Sequence, residues 1–300
     1  MVSRPPSRIY LSERVENTQL LSHHPLLPMT HERLSVIVPT YNEELNIRPL
    51  TERLFAATRT AKLEVELLIA DDESVGSEET ARAVAALAQQ GYAVRLCARK
   101  KTEGRGLSSA VLQAFQRAQH PIVLCMDADL QHEPESVPDV ARPVLEGHAD
   151  FTVGSRNIGG GNIGFEWSLI RRIISAGATL LAWPLTSSSD PMSGFFCLSR
   201  ETLARGDGKG ISTMGFKIGL ELMVRCGCTT VVDVPITFRE RVAGESKLTM
   251  KQNVEYVRQL KALYLFKFGY AVCLGVPLLL LLGACAAILH LLALSSSVSA

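Results

Sequence analysis

The sequence lacks a G-x-x-x-x-G-K-[ST] loop. A P-loop is therefore not available to cradle phosphates. It has no charge of one dominant sign: 31 Lys and Arg stand against 30 Asp and Glu, a net +1. That balance excludes the polyelectrolyte signature of a nucleic-acid binder. Its seven cysteines form no C-x-x-C pair, and no His cluster completes a zinc site. They read as reduced, mostly buried thiols of a chain facing a reducing compartment. Residues 1–33 lack the continuous apolar core of a signal peptide and read as a loosely ordered, cytosol-facing arm. No tandem repeat or low-complexity tract is evident.

One absence is informative in the other direction. Residues 269–294, "GYAVCLGVPLLLLLGACAAILHLLAL", contain no Asp, Glu, Lys or Arg. As a helix this run spans about 39 Å, against a hydrocarbon core of about 30 Å. Arg258, Lys261 and Lys267 flank its N-terminal side, and the uncharged tail 295–300 follows it. The positive-inside rule then predicts a C-terminal transmembrane helix that leaves the large domain in the cytosol. Residues 248–268, apolar at helical spacing with interleaved basic residues, are expected as an amphipathic helix at the bilayer surface.

What is present between residues 34 and 247 is an alternation of short apolar runs and helical segments. "LSVIVP", "VELLIA", "YAVRLCA" and "PIVLCM" read as strands, with helices near 46–59, 78–90 and 107–118 between them. This is the pattern of an α/β fold with a mainly parallel sheet. Further strands are expected at "DFTVGS", "FFCLS" and "TTVVDVPITF", and further helices around "SLIRRIISAGATLLAW" and "GFKIGLELMVRCG". Ligands of such sheets bind beyond the strand C-terminal ends. The polar clusters fall there: "PTYNEE", "DDES" and "DADLQ".

The last cluster poses the sharpest chemical question. Asp127 and Asp129 close an apolar run, and in a continuing strand their side chains share one side about 6.5–7 Å apart. Two carboxylates so placed repel by roughly 2–3 kcal/mol at an effective dielectric near 20. A helix cap needs one such acid, not two. The set Asp127, Asp129 and Gln131 suits Mg²⁺ or Mn²⁺, with a diphosphate completing the shell. His132 reads as a helix-start residue. Tyr41 and Glu43, with Asp72 on the next strand end, form a plausible nucleoside pocket. Arg171 and Ser175, four apart, share a helix face able to hold a phosphate. Arg156 follows a strand, and Arg241 and Lys247 bracket Gly244 in a basic loop able to close over phosphates.

Together "SVIVPTYNE", "GLSSAV", "MDADLQHEPE", "GSR", "DPMSGFF" and "GESKL" resemble the dolichyl-phosphate mannosyltransferases of glycosyltransferase family 2, over about residues 34–251. The resemblance implies a GT-A catalytic domain over 34–247 that uses GDP-mannose, dolichyl phosphate and a divalent metal, and inverts the sugar linkage. It implies that Pro39, Tyr41, Glu43, Ala70 and Asp72 line the nucleoside site. Asp127, Ala128, Asp129 and Gln131 would meet metal and diphosphate, and Arg241 and Lys247 would gate the donor. Arg156 would lie near the reacting phosphates, making it with Asp129 the catalytic pair, and Arg171 and Ser175 would hold the acceptor phosphate. Asp190 stands where many family members place a catalytic acid or base; here a structural or acceptor-orienting role is expected. The chain departs from the pattern at "DDESVGSEET", where the family has something closer to "DDGSPDGT", and an extra Gly-Arg precedes Gly106-Leu107-Ser108. Tail anchoring at the endoplasmic reticulum without an obligatory partner subunit is expected. The alternatives are a polyprenyl-phosphate transferase with another donor such as UDP-glucose, and a non-catalytic nucleotide-sugar sensor or scaffold.

Overall fold

Parallel strands buried on both faces require near-continuous apolar runs, and the first strands supply them. In the computed structural model, which describes residues 33–100, 102, 106–159, 161–163, 169–213, 216–240 and 252–273, β1 spans Arg33–Thr40 and β2 Glu64–Asp71. Helix α1 (Glu44–Thr60) joins them. Then follow α2 (Ser77–Gln89), β3 (Val94–Ala98), α3 (Leu107–Arg117), β4 (Ile122–Cys125), α4 (Val137–Leu145) and β5 (Phe151–Ser155). The remaining elements to residue 238 are β6 (Asn162–Ile163), α5 (Leu169–Ala182), β7 (Phe196–Ser199), α6 (Arg200–Ala204), α7 (Ile218–Arg225), β8 (Val231–Pro235) and β9 (Thr237–Phe238). A last helix, α8, covers 252–273.

Seven strands form one sheet in the order β3-β2-β1-β4-β7-β5-β8. Its two faces carry separate cores, as period-2 alternation demands. Val36, Val38, Leu67 and Ile69 pack with α1 and α4 on one side. Ile37, Leu68, Val123 and Phe196 pack with α3, α7 and α8 on the other. Strand β7 is antiparallel to both β4 and β5, while the other neighbours in the sheet are parallel. The chain direction reverses there, so the segment entering β7 lies on the same rim as the exits of β4 and β5.

Two expectations change. Strand β4 stops at Cys125, so Asp127 and Asp129 sit in the turn beyond it and strand alternation does not align them. Within the Gly-rich loop, Asn162–Ile163 pairs with β9, adding a two-stranded flap beside the main sheet. Helix α8 also does more than lie at a surface. Tyr256, Leu260 and Leu263 are buried against the α7 side of the core, and Tyr256 Oη donates to Ala178 O at 2.7 Å. Gly269 takes φ +74° in this helix, at the expected start of the anchor. Among the described residues no helix is long and apolar enough to cross a membrane. The expected anchor beyond residue 273, the arm 1–32, and Arg241 and Lys247 lie outside the described residues.

Candidate active site

The sheet changes winding direction between β1 and β4, where an open α/β sheet leaves a crevice. The exits of β1, β2 and β4 each turn sharply through a non-glycine residue in the left-handed region: Asn42 (φ 55°), Glu73 (φ 50°) and Leu130 (φ 59°). Side chains resist that conformation, and such residues concentrate where loops are shaped for binding. Glu73 occupies the turn where the resemblance leads one to expect glycine.

After β1, Pro39 is half-buried, Tyr41 is 40% exposed and Glu43 is buried. Glu43 Oε2 accepts from Asn46 Nδ2 at 2.9 Å, holding the acid at the start of α1. Asn42 Oδ1 accepts from the amides of Val75 and Gly76, tying the β1 and β2 exits together. After β2, Ala70 is fully buried in the core, so only its backbone can border a ligand. Asp72 is more committed than its sequence position suggests. Its Oδ1 accepts from Arg99 Nη1 at 2.5 Å, and its Oδ2 from the Gly106 amide at 2.8 Å. Arg99, a residue that sequence reasoning missed, also donates to Gln113 Oε1 and Ser109 Oγ. The network sets the start of α3 against the β2 exit. Asp72→Asn is expected to lower unfolding free energy by about 2 kcal/mol, the range for a charged hydrogen bond, in a urea titration.

After β4, the Asp127 side chain is 36% exposed, whereas Asp129 and Gln131 are buried and Ala128 lies in the core. Asp129 Oδ1 accepts from the Gln131 amide at 3.1 Å, and Gln131 Nε2 donates to Arg239 O at 3.0 Å. One carboxylate thus faces the crevice and the other is set back in the turn. His132 is not at a helix start: it is buried between Phe195 and Phe238, with ring centroids 5.2 and 5.3 Å away. Its Nδ1 accepts from the Asp127 amide at 3.3 Å. Burial brings the imidazole down to about 4, so it is neutral at pH 7 and serves as a fixed acceptor behind the acids.

The reversal at β7 supplies the residues that local sequence patterns hide. Gly194 lies so close to Asp127 that a Cβ there would fall 2.9 Å from Oδ1 and 3.0 Å from Oδ2. Asp190, 1% exposed, holds Arg156 in a two-point ion pair, with Nε–Oδ2 and Nη2–Oδ1 both 2.7 Å. The Arg156 guanidinium also lies 4.9 Å from the Phe238 ring centroid. Asp190 therefore orients the arginine. Arg171 and Ser175 lie on α5, four residues apart. Beside Asp127 opens a cavity of about 110 Å³ whose walls include Leu107, Cys125, Met192, Phe216 and Lys217.

Among the described residues no group of three His, Cys, Asp or Glu could hold a metal. Two carboxylates from one turn suit a hard cation that keeps water and phosphate oxygens in its shell, and that donor set fits Mg²⁺ or Mn²⁺.

The sheet order, the single reversed strand and the acids at the winding switch define a GT-A glycosyltransferase fold. Solved structures agree. Glucosyl-3-phosphoglycerate synthase from Mycobacterium tuberculosis superposes with a TM-score of 0.52 at 23% identity, covering 79% of this chain and 80% of that one. Residues 35–206 match the family model "Glycosyl transferase family 2". A dolichol-phosphate mannosyltransferase of Saccharomyces cerevisiae is 48% identical over 242 residues, covering 78% of this chain and 88% of that protein. That of Mycosarcoma maydis is 47% identical over 242 residues, covering 78% and 80%. The chain belongs to glycosyl transferase family 2 and, within it, to the dolichol-phosphate mannosyltransferases.

Proposed function

We propose that the protein transfers mannose from GDP-mannose to dolichyl phosphate, giving dolichyl β-D-mannosyl phosphate and GDP. The observation that carries this reading is the 48% identity to the yeast mannosyltransferase across 88% of that protein. The site chemistry is compatible at each step. Tyr41 and Glu43 border the nucleoside, with Pro39 and the backbone of Ala70 beside them. Asp72 completes that edge while paired with Arg99. Asp127 and Asp129, with Ala128 and Gln131 in the same turn, hold Mg²⁺ or Mn²⁺ and the diphosphate. A bound divalent ion would neutralise charge on the departing diphosphate. The M. tuberculosis synthase of the same fold was solved with Mn²⁺ and uridine diphosphate.

The nucleophile is a phosphate oxygen of the acceptor, attacking the anomeric carbon as the bond to GDP breaks. A phosphate monoester is largely dianionic at neutral pH, its second pKa near 6, so the attack needs no general base. The protein must instead hold two anions in line and exclude water. Arg156, fixed by Asp190, and Arg171 with Ser175 on α5 supply the acceptor side. Arg241 and Lys247 are assigned the gate over the donor on the resemblance alone.

The same reading makes the enzyme membrane-tethered through 269–294, at the endoplasmic reticulum with its catalytic domain in the cytosol and no obligatory partner subunit. Its support is the charge-free run and the apolar side chains that α5, the turn after it and α8 expose, among them Leu180, Leu181, Trp183, Phe266 and Tyr270. Tethering raises the encounter rate with an acceptor that stays in the bilayer.

The test is transfer by purified protein in lipid with dolichyl phosphate and Mg²⁺ or Mn²⁺, from GDP-mannose and UDP-glucose side by side. Mannosyl lipid formed from GDP-mannose alone, and abolished in Asp129→Ala, is the expected result. Glucosyl lipid would overturn the donor. GDP binding without transfer from either sugar nucleotide would overturn the activity.

A further inference from the structure

The buried and half-buried arginines among the described residues come with acids. Arg99 pairs with Asp72, Arg156 with Asp190, and Arg225 with Glu221. Lys217 departs from that rule. It immediately precedes α7, lines the cavity beside Asp127, and lies 4.7 Å from the centroid of the Phe216 ring. Its Nζ donates to Met192 O at 2.7 Å, and no carboxylate among the described residues lies within 4 Å of it. An ammonium carries three donors, and a carbonyl compensates its charge only weakly. A cation kept in such a place is matched by an anion that arrives with a ligand.

Two anions meet in the proposed reaction, and the surroundings distinguish them. Besides Asp127 and Ser193, the cavity that Lys217 lines has the apolar side chains of Leu107, Met192, Phe216 and Ile218 in its walls. A phosphate on an isoprenoid brings a first apolar unit to those four side chains, which the diphosphate of a nucleotide does not. Lys217 is also wired to α8, the helix that leads to the predicted anchor. Gln259 Nε2 donates to Lys217 O at 3.1 Å and to Glu221 Oε2 at 3.0 Å. We propose that Lys217 binds the phosphate of an isoprenyl phosphate acceptor within this cavity, and that Gln259 of α8 positions it for that contact. The inference rests on the proposed transfer reaction for its acceptor, and adds a binding residue and its mechanical link to the membrane-proximal helix.

The charges facing Lys217 are consistent with that role. Burial and the Arg156 guanidinium bring its ammonium down to about 8, against the pull of Asp127 and Asp190. It is mostly protonated at pH 7, and an approaching phosphate would hold its proton more firmly.

The test is direct binding, separate from turnover. Farnesyl phosphate, inorganic phosphate and GDP with Mn²⁺ are each titrated calorimetrically into the full chain in lipid nanodiscs. Lys217→Met is expected to weaken farnesyl phosphate about tenfold or more, the size of a lost charge-assisted hydrogen bond, with GDP affinity unchanged. Lys217→Arg is expected to stay within about threefold of the parent, which separates loss of charge from loss of fold. Gln259→Leu is expected to give an intermediate loss for farnesyl phosphate alone. Inorganic phosphate binding as tightly as farnesyl phosphate would overturn the role given to the apolar walls. Equal weakening of GDP would move Lys217 to the donor side, and unchanged farnesyl phosphate binding would reduce it to a structural residue; either overturns the proposal. Lys217-dependent farnesyl phosphate binding without mannose transfer would instead refute the proposed reaction while leaving this site standing.

Discussion

Asp190→Asn is expected to lower unfolding free energy by about 3–5 kcal/mol and to reduce transfer about a hundredfold or more. The carboxylate is 1% exposed and receives Arg156 Nε, Arg156 Nη2 and the Arg156 amide. Asparagine keeps one acceptor and turns the other into a donor that faces a guanidinium N–H. The arginine is then a buried charge with half its partner gone, the costly way to break such a pair. It also loses the two-point hold that fixes its direction beside the Phe238 ring. Chemical denaturation followed by circular dichroism reads the first effect, and initial mannosyl-lipid formation the second. The double variant Arg156→Met, Asp190→Leu separates them. It is expected to recover most of the stability, because two apolar side chains replace both charges, and none of the activity. Recovery of activity in that variant would show that Arg156 does not serve the reacting phosphates.

Gly194→Ala is expected to cost about a hundredfold in turnover with little change in stability. A methyl at this position would sit 2.9–3.0 Å from both Asp127 oxygens, inside any normal contact. The atom it meets is the end of a side chain, not backbone, so the carboxylate moves and the fold remains. Displacement approaching 1 Å in a group that orients a diphosphate is enough for a loss of that size. The check is kcat at saturating Mn²⁺ together with the melting temperature. A fall in melting temperature comparable to that of Asp190→Asn would mean that the turn, not the carboxylate, had yielded. Unchanged kcat would show that Asp127 tolerates displacement and plays no part in positioning the donor.

Much of the site was legible because strand exits in a parallel sheet must collect on one rim. Once "LSVIVP", "VELLIA" and "PIVLCM" read as parallel strands, Tyr41, Asp72 and Asp127 had to approach one another. The precise stations of the acids were not legible. Strand β4 ends one pairing short of the expected run, and a turn through Leu130 with φ 59° holds a half-buried Asp127 and a buried Asp129. Burial of His132 was equally hidden, since its neighbours Phe195 and Phe238 are over 60 and 100 residues away. Helix α8 was expected at a surface from its basic residues; its packing depends on Tyr256, Leu260 and Leu263 finding the α7 side of the core.

By itself the sequence determined the layers, the rim and the chemistry that gathers there, because hydrophobic period and polar punctuation are local properties of a chain. It also supplied the family, through motifs whose residues recur at set spacings. Tertiary structure alone decided the partners. Insertion of β7 antiparallel between β4 and β5 brings Asp190 to Arg156 and Gly194 to Asp127. The pairing of β2 with β3 sets Asp72 beside Arg99, and packing around α7 leaves Lys217 beside a carbonyl rather than a carboxylate. Coulomb energy and desolvation depend on distance and burial in space. Those two quantities are set only when strands distant in sequence pair and close the site.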